Sequence, residues 1–150
     1  MTGPDCHSLL SLVAGRCPSG RLLDVGCAAG DFVELANARG FKAVGVEPSP
    51  KSAEMARSRG LDVHRGDLRS AGFPDAAFDV VTAWDVMDTL RVPADELREI
   101  FRVLKPGGFF FLRVRNVLHR FGFSRVALKR ILSVVGFVDF RDGIVAARKP

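Results

Sequence analysis

Short apolar runs alternate along this chain with longer stretches whose apolar positions recur every three or four residues. The runs at residues 21–25, 42–47, 61–64, 78–84 and 108–114 read as strands, and the periodic stretches between them read as helices that bury one face. The helix ends are written in the sequence. Asp31, followed three residues later by Glu34, resembles a capping pair; Phe32 and Leu35 are expected to face inward, and Gly40 suits the left-handed stop. In the next helix Ser49 can cap, Pro50 takes the first helical position and Gly60 closes the end. A further helix over 94–104 halts at "KPGG", whose proline cannot continue it. After a helix from about 124 to 135, "GFVDFRDGIVAARKP" contains two strand-like runs separated by Asp142-Gly143, a hairpin signal. The expected fold is α/β: a Rossmann-like doubly wound sheet of about seven strands, mostly parallel, with an antiparallel hairpin strand at the C-terminal end. Its ligand crevice is expected at the carboxyl ends of the early strands.

Composition narrows the setting. At 150 residues the chain reads as one domain, 1–150, long enough to bury a core without covalent staples. Cys6, Cys17 and Cys27 form an odd set with no CxxC pair and no zinc-like spacing, so a reducing compartment, the cytoplasm, is expected, and no metal. No apolar run has the length of a membrane span, and no signal peptide is visible at the start. The net charge of +5 is uneven: residues 1–100 carry 11 Lys and Arg against 15 Asp and Glu, whereas residues 101–150 carry 11 against 2. A basic C-terminal third suits either a solvated face or an acidic partner.

The stretch "LLDVGCAAGDF" at 22–32 carries the candidate chemistry. A glycine-rich turn after a strand usually cradles a pyrophosphate through G-x-G-x-x-G. Here Ala28 stands at the second glycine position and Asp31 at the third, and a carboxylate in the first helical turn opposes an anion there. NAD is a poor fit. A ligand with a carboxylate at one end and cationic groups beyond it fits better, because the helix end can take the carboxylate while Asp24 and Asp31 face the cations. S-adenosylmethionine has that pattern. Its ribose asks for a second acid at the end of the next strand, and Glu47 stands there in "VGVEPS", 21 residues after Gly26.

With these residues in place the chain resembles the class I S-adenosylmethionine-dependent methyltransferases, in particular the small-molecule group whose first motif is similar to "LDVGCGTG". The resemblance covers about residues 21–149. It implies Asp24, Gly26, Ala28 and Gly30 around the methionine part of the cofactor, and Glu47 and Pro48 at the ribose. "RGD" implies Asp67 at the adenine amino group, with Leu68 beside the ring, and Trp84 is either ordinary core or a wall of the same pocket. "FPDAAFDVVTAWDVMDTL" looks like the fourth strand and the loop that opens onto the substrate, and "REIFRVLKPGGFFFLRV" like the helix, turn and strand that follow. Asp85 and Asp88 are the catalytic candidates nearest the expected methyl group. His119, in "RNVLHRFGF", similar to the family stretch on the substrate side after the fifth strand, is a third candidate. Three departures stand out. Ala28 replaces the middle glycine, Thr89 stands where the family often has histidine, and the segments that commonly build a substrate lid are short.

The expected activity is therefore methyl transfer from S-adenosylmethionine to an oxygen, nitrogen or carbon nucleophile on a small molecule. Two other readings stay open: an inactive cofactor-binding subunit of a larger enzyme, and a nucleic-acid methyltransferase with Arg113, Arg115, Arg120, Arg125, Lys129 and Arg130 on phosphates. Against the latter, no separate binding module and no loop for a flipped base is visible. The short lid leads to the expectation that a partner, most simply a second copy of the chain, covers the methyl-donor end. The helix suggested by "DCHSLLSLVAG", with Leu9, Leu10, Leu12 and Val13, could cross to that neighbour. Cys27 is read as a small loop residue without a catalytic partner.

Overall fold

A computed structural model of the chain describes residues 5–86, 93–113, 125–137 and 145–150. The elements run α1 (Cys6–Ala14), β1 (Arg21–Val25), α2 (Asp31–Ala38), β2 (Lys42–Glu47), α3 (Pro50–Ser58), β3 (Val63–Arg65), α4 (Leu68–Ala71), β4 (Phe78–Trp84), α5 (Pro93–Val103), β5 (Leu104–Arg113), α6 (Arg125–Val135) and β6 (Val145–Arg148). Among the described residues the sheet has six strands, in the order β3-β2-β1-β4-β5-β6. All neighbours are parallel except β6, which runs antiparallel to β5. The expected count of about seven is corrected to six. Of the run assigned to the extra strand, Phe137 is in no strand, and residues 138–140 and the Asp142-Gly143 turn lie outside the described residues.

Helices cover both faces of the sheet, so the central strands bury side chains on both sides, as parallel sheets require. On one face α1, α2 and α3 pack Leu9, Leu10, Val13, Phe32, Val33, Ala36, Ala53 and Ala56 against Leu22, Val80 and Phe111. On the other, α4, α5 and α6 pack Leu68, Leu97, Ile100, Leu128 and Leu132 against Leu23, Val81, Phe110 and Leu112. Chain direction across the sheet reverses between β1 and β4, and that switch point leaves a crevice at the carboxyl ends of the strands.

The local signals hold where one turn of backbone suffices to carry them. Ser49 caps α3 with Pro50 in its first turn, and Gly60 and Gly40 take left-handed φ values of 78° and 101° just past α3 and α2. Helix α1 starts at Asp5, whose carboxylate accepts from the Ser8 N–H at 2.8 Å. Leu9, Leu10 and Val13 pack on its own sheet and Leu12 is 43% exposed, so α1 is seated at home rather than reaching to a neighbour. The expected Asp31–Glu34 cap does not form. Gly30 is the N-cap, at φ 89°, and no side chain caps the helix. Instead Arg59, at the end of α3, reaches Asp31 at 2.7 Å and Glu34 at 2.5 Å, tying two neighbouring helices together.

Candidate functional site

A cleft of about 350 Å³ opens at the switch point. Its walls are the ends of four strands: Val25 and Gly26 after β1, Val46 to Ser49 after β2, Gly66 to Leu68 after β3, and Asp85 and Val86 after β4, with Glu96 of α5 closing one side. The volume falls in the range of small-molecule sites. Of the residues singled out in the sequence, Gly26, Glu47, Pro48, Asp67, Leu68 and Asp85 line it together.

Glu47 is the structural centre of this wall. It is 8% exposed, and its two carboxylate oxygens accept from the Ala28 and Ser49 N–H groups at 2.8 Å each. One side chain therefore holds the turn after β1 and the turn after β2 at a set distance. Gly26 is required by its surroundings: at φ 72° a β-carbon would be strained and would run into Val86. Ala28 is left-handed too, at φ 51°, a conformation that glycine takes freely and that alanine holds at a cost. Gly30 serves packing, since a β-carbon there would meet Leu61 and Ala56.

Asp24, Ala28, Gly30 and Trp84 are not among the lining residues. Asp24 lies beneath the turn, 2% exposed, on the face of the sheet covered by α1 and α2, and accepts from Thr82 Oγ1 at 2.7 Å. Burial pushes its carboxyl up to about 7; the Thr82 hydrogen bond opposes the shift and neighbouring Glu47 adds to it. Trp84 sits on the same face against Phe32, ring centroids 5.3 Å apart in an edge-on arrangement. Asp67 has a second task in this site. It caps α4 through the Ser70 N–H at 2.7 Å, and that hydrogen bond holds its carboxyl below the usual carboxylate value.

Asp85 is not a free carboxylate facing the methyl group. At φ 59° it occupies the left-handed region, its N–H donates to the Arg113 carbonyl at 2.9 Å, and its carboxylate takes the Arg113 guanidinium in a two-pronged pair whose closest approach is 2.6 Å. The pair is mostly buried, with the side chains 16% and 19% exposed. The other catalytic candidates, Asp88 and His119, and Thr89 lie outside the described residues. Cys27 is buried, and its thiol is pushed up to about 12 mainly by that burial; it is no nucleophile in this state.

Sequence reasoning missed Glu96 and Val86. Burial raises the Glu96 carboxyl, and nearby Asp67 and Glu99 raise it further. Its signal was an acid in the first turn of α5, next to the inward-facing Leu97. Val86 gave none, because its position depends on the turn that Asp85 and Arg113 make. Among the described residues the cleft wall contains no Lys or Arg.

Three comparisons bear on this geometry. A family model for a methyltransferase domain matches residues 5–133. A probable S-adenosylmethionine-dependent methyltransferase of Mycolicibacterium smegmatis is 31% identical over 106 residues, 69% of this chain and 41% of that one. A demethylmenaquinone methyltransferase of Symbiobacterium thermophilum is 32% identical over 149 residues, 89% of this chain and 59% of that one. The chain thus spans about half the length of these relatives. Among solved structures, an S-adenosylmethionine-dependent methyltransferase of Thermotoga maritima superposes with a TM-score of 0.73 at 24% identity, covering 97% of this chain and 83% of that one; at that identity the likeness speaks for the fold.

Proposed function

The chain belongs to the methyltransferase-domain family, and from that premise we propose that it binds S-adenosylmethionine in the strand-end cleft and transfers its methyl group to an oxygen, nitrogen or carbon nucleophile of a small molecule. The observation that carries this reading is the meeting of Gly26, Glu47, Asp67 and Leu68, from three strand ends, around one cleft. The fit is chemical. Gly26 brings bare backbone to the cofactor, Glu47 and Pro48 take the ribose, Asp67 and Leu68 the adenine, and the buried acid Asp24 faces the amino-acid end. When bound, the cofactor supplies a methyl group on a positively charged sulfur, a good leaving group. The protein's part is to align donor and acceptor and to exclude water. Asp85, held by Arg113, orients the turn after β4. Of the basic residues invoked for phosphate contacts, Arg113 is turned onto Asp85, Lys129 is half-buried and Arg130 exposed on α6, and Arg115 and Arg120 and the side chain of Arg125 lie outside the described residues.

Two further elements belong to this proposal. Cys6, Cys17 and Cys27 are free thiols, which suits the cytoplasm; no helix among the described residues is long and apolar enough to cross a membrane. A second copy of the chain closes the methyl-donor end. It would find apolar surface on α6, where Val126 and Val134, two turns apart, are 71% and 76% exposed.

Titration calorimetry tests the cofactor. S-adenosylhomocysteine should bind and NAD should not, and Glu47→Gln should weaken S-adenosylhomocysteine by about 1.5–3 kcal/mol, the range for a hydrogen bond to a charged group. Equal affinity for NAD would overturn the assignment.

A further inference from the structure

Among the described residues, Trp84 Nε1 is the one buried side-chain nitrogen or oxygen without a hydrogen-bond partner. Buried donors are nearly always paired, so an orphan asks what acceptor it serves. Its position narrows the answer. Trp84 is the last residue of β4, directly before Asp85 of the cleft wall. Side chains two apart on a strand share a face, which puts Trp84 with Thr82, and Thr82 is the register partner and hydrogen-bond partner of Asp24. The indole also packs on Phe32, in the first turn of α2, directly after the glycine turn. Cys6, at the start of α1, feels the charges of Asp31, Asp24 and Arg113, so that helix end covers the same corner. The indole, the start of α2 and a buried carboxyl thus lie on one face of the sheet at the ends of β1 and β4. Donors on one side and an acid on the other suit the two ends of an α-amino acid.

We propose that the Trp84 indole N–H donates a hydrogen bond to a carboxylate oxygen at the amino-acid end of the cofactor, and so makes the site selective for the complete cofactor over adenosine thioethers that lack that end. This rests on the function proposed above. Asp24 takes the ammonium group of the same ligand, while the adenosine half lies along Glu47 and Leu68 and does not touch Trp84.

Two ligands separate the halves: S-adenosylhomocysteine, which has the amino-acid end, and 5′-methylthioadenosine, which lacks it. Trp84→Phe keeps a ring in place and removes the N–H. It should raise the Kd of S-adenosylhomocysteine about tenfold, the effect of losing a hydrogen bond to a charged group, and leave that of 5′-methylthioadenosine within about twofold. Trp84 is the only tryptophan in the chain, so the wild-type protein gives a single indole N–H cross-peak in an amide correlation spectrum. That peak should move downfield with S-adenosylhomocysteine and stay put with 5′-methylthioadenosine, a reading that does not need the variant to fold. An unmoved peak, an unchanged Kd in Trp84→Phe, or equal losses for both ligands would overturn the inference and leave the indole as packing. Failure of the wild-type protein to bind S-adenosylhomocysteine at all would instead overturn the cofactor reading beneath it.

Discussion

Asp24 shows how one residue can join stability to function. It is buried on the sheet with a single hydrogen bond from Thr82, and burial lifts its carboxyl from 3.8 to about 7. The folded chain therefore holds this proton more tightly than the unfolded chain. The stability this contributes is complete below about pH 3.8 and is lost as pH rises through about 7. A tenfold difference in proton affinity is worth about 1.4 kcal/mol, so Asp24→Asn, which does not titrate, should flatten the decline across that window by roughly 2–4 kcal/mol. Urea denaturation of both proteins at several pH values checks this; parallel curves would show that Asp24 stays ionised throughout. Ala28 and Asp85 illustrate a different point at the same scale. Both hold left-handed backbone without being glycine, at φ 51° and 59°, and both adjoin the cleft. Ala28 is held by Glu47 and Asp85 by Arg113, and strain of this kind persists only where its surroundings over-determine it.

Among the elements, α4 carries the sharpest double demand. It is one turn long, and its start depends on Asp67, the side chain proposed above to meet the adenine. The two roles can be separated. Asn caps a helix about as well as Asp, and Ala does not. Asp67→Asn should leave stability within about 0.5 kcal/mol, whereas Asp67→Ala should cost about 1 kcal/mol. If the carboxylate also accepts from the adenine amino group, both variants should weaken S-adenosylhomocysteine by a similar factor, since the Asn amide has its oxygen on the cap and only donors left over. Thermal melts and calorimetry on the pair decide it: unimpaired binding by Asp67→Asn would reduce Asp67 to a cap.

At the scale of the whole molecule the uneven charge has a structural outlet. Lys105 pairs with Asp79, Arg102 with Asp75 and Glu99, Arg113 with Asp85, and Lys149 donates to the Phe101 and Leu104 carbonyls. Among the described residues, four basic side chains of the C-terminal third are thus engaged by carboxylates or backbone carbonyls of their own chain. The second copy proposed above would meet the exposed valines of α6. Sedimentation equilibrium at micromolar concentration, with and without S-adenosylhomocysteine, should detect a dimer in the liganded sample. A monomer in both, together with measurable methyl transfer, would show that the cleft works uncovered.

The alternation of β1 to β5 with α2, α3 and α5, the caps at Ser49, Pro50 and Gly60, and the acid at the end of the second strand were legible in the sequence, whereas α4 and the count of six strands were not. Each legible feature depends on residues within about one turn or strand of one another, where propensity and hydrogen-bonding chemistry act locally. Three-dimensional packing alone decided the rest. Asp31 reads as the cap of its own helix, but the helix starts one residue earlier, with Gly30 at the N-cap, and Asp31 pairs with Arg59, 28 residues away. Asp85 read as a candidate base until Arg113, also 28 residues away, was brought to it by the pairing of two strands. Val86 over Gly26, and Glu96 beside Asp67, arise because the turn after β4 and the start of α5 fold back over the ends of β1 and β3. A side chain's charge and size are properties of the sequence; which neighbour neutralises or buries it is a property of the fold.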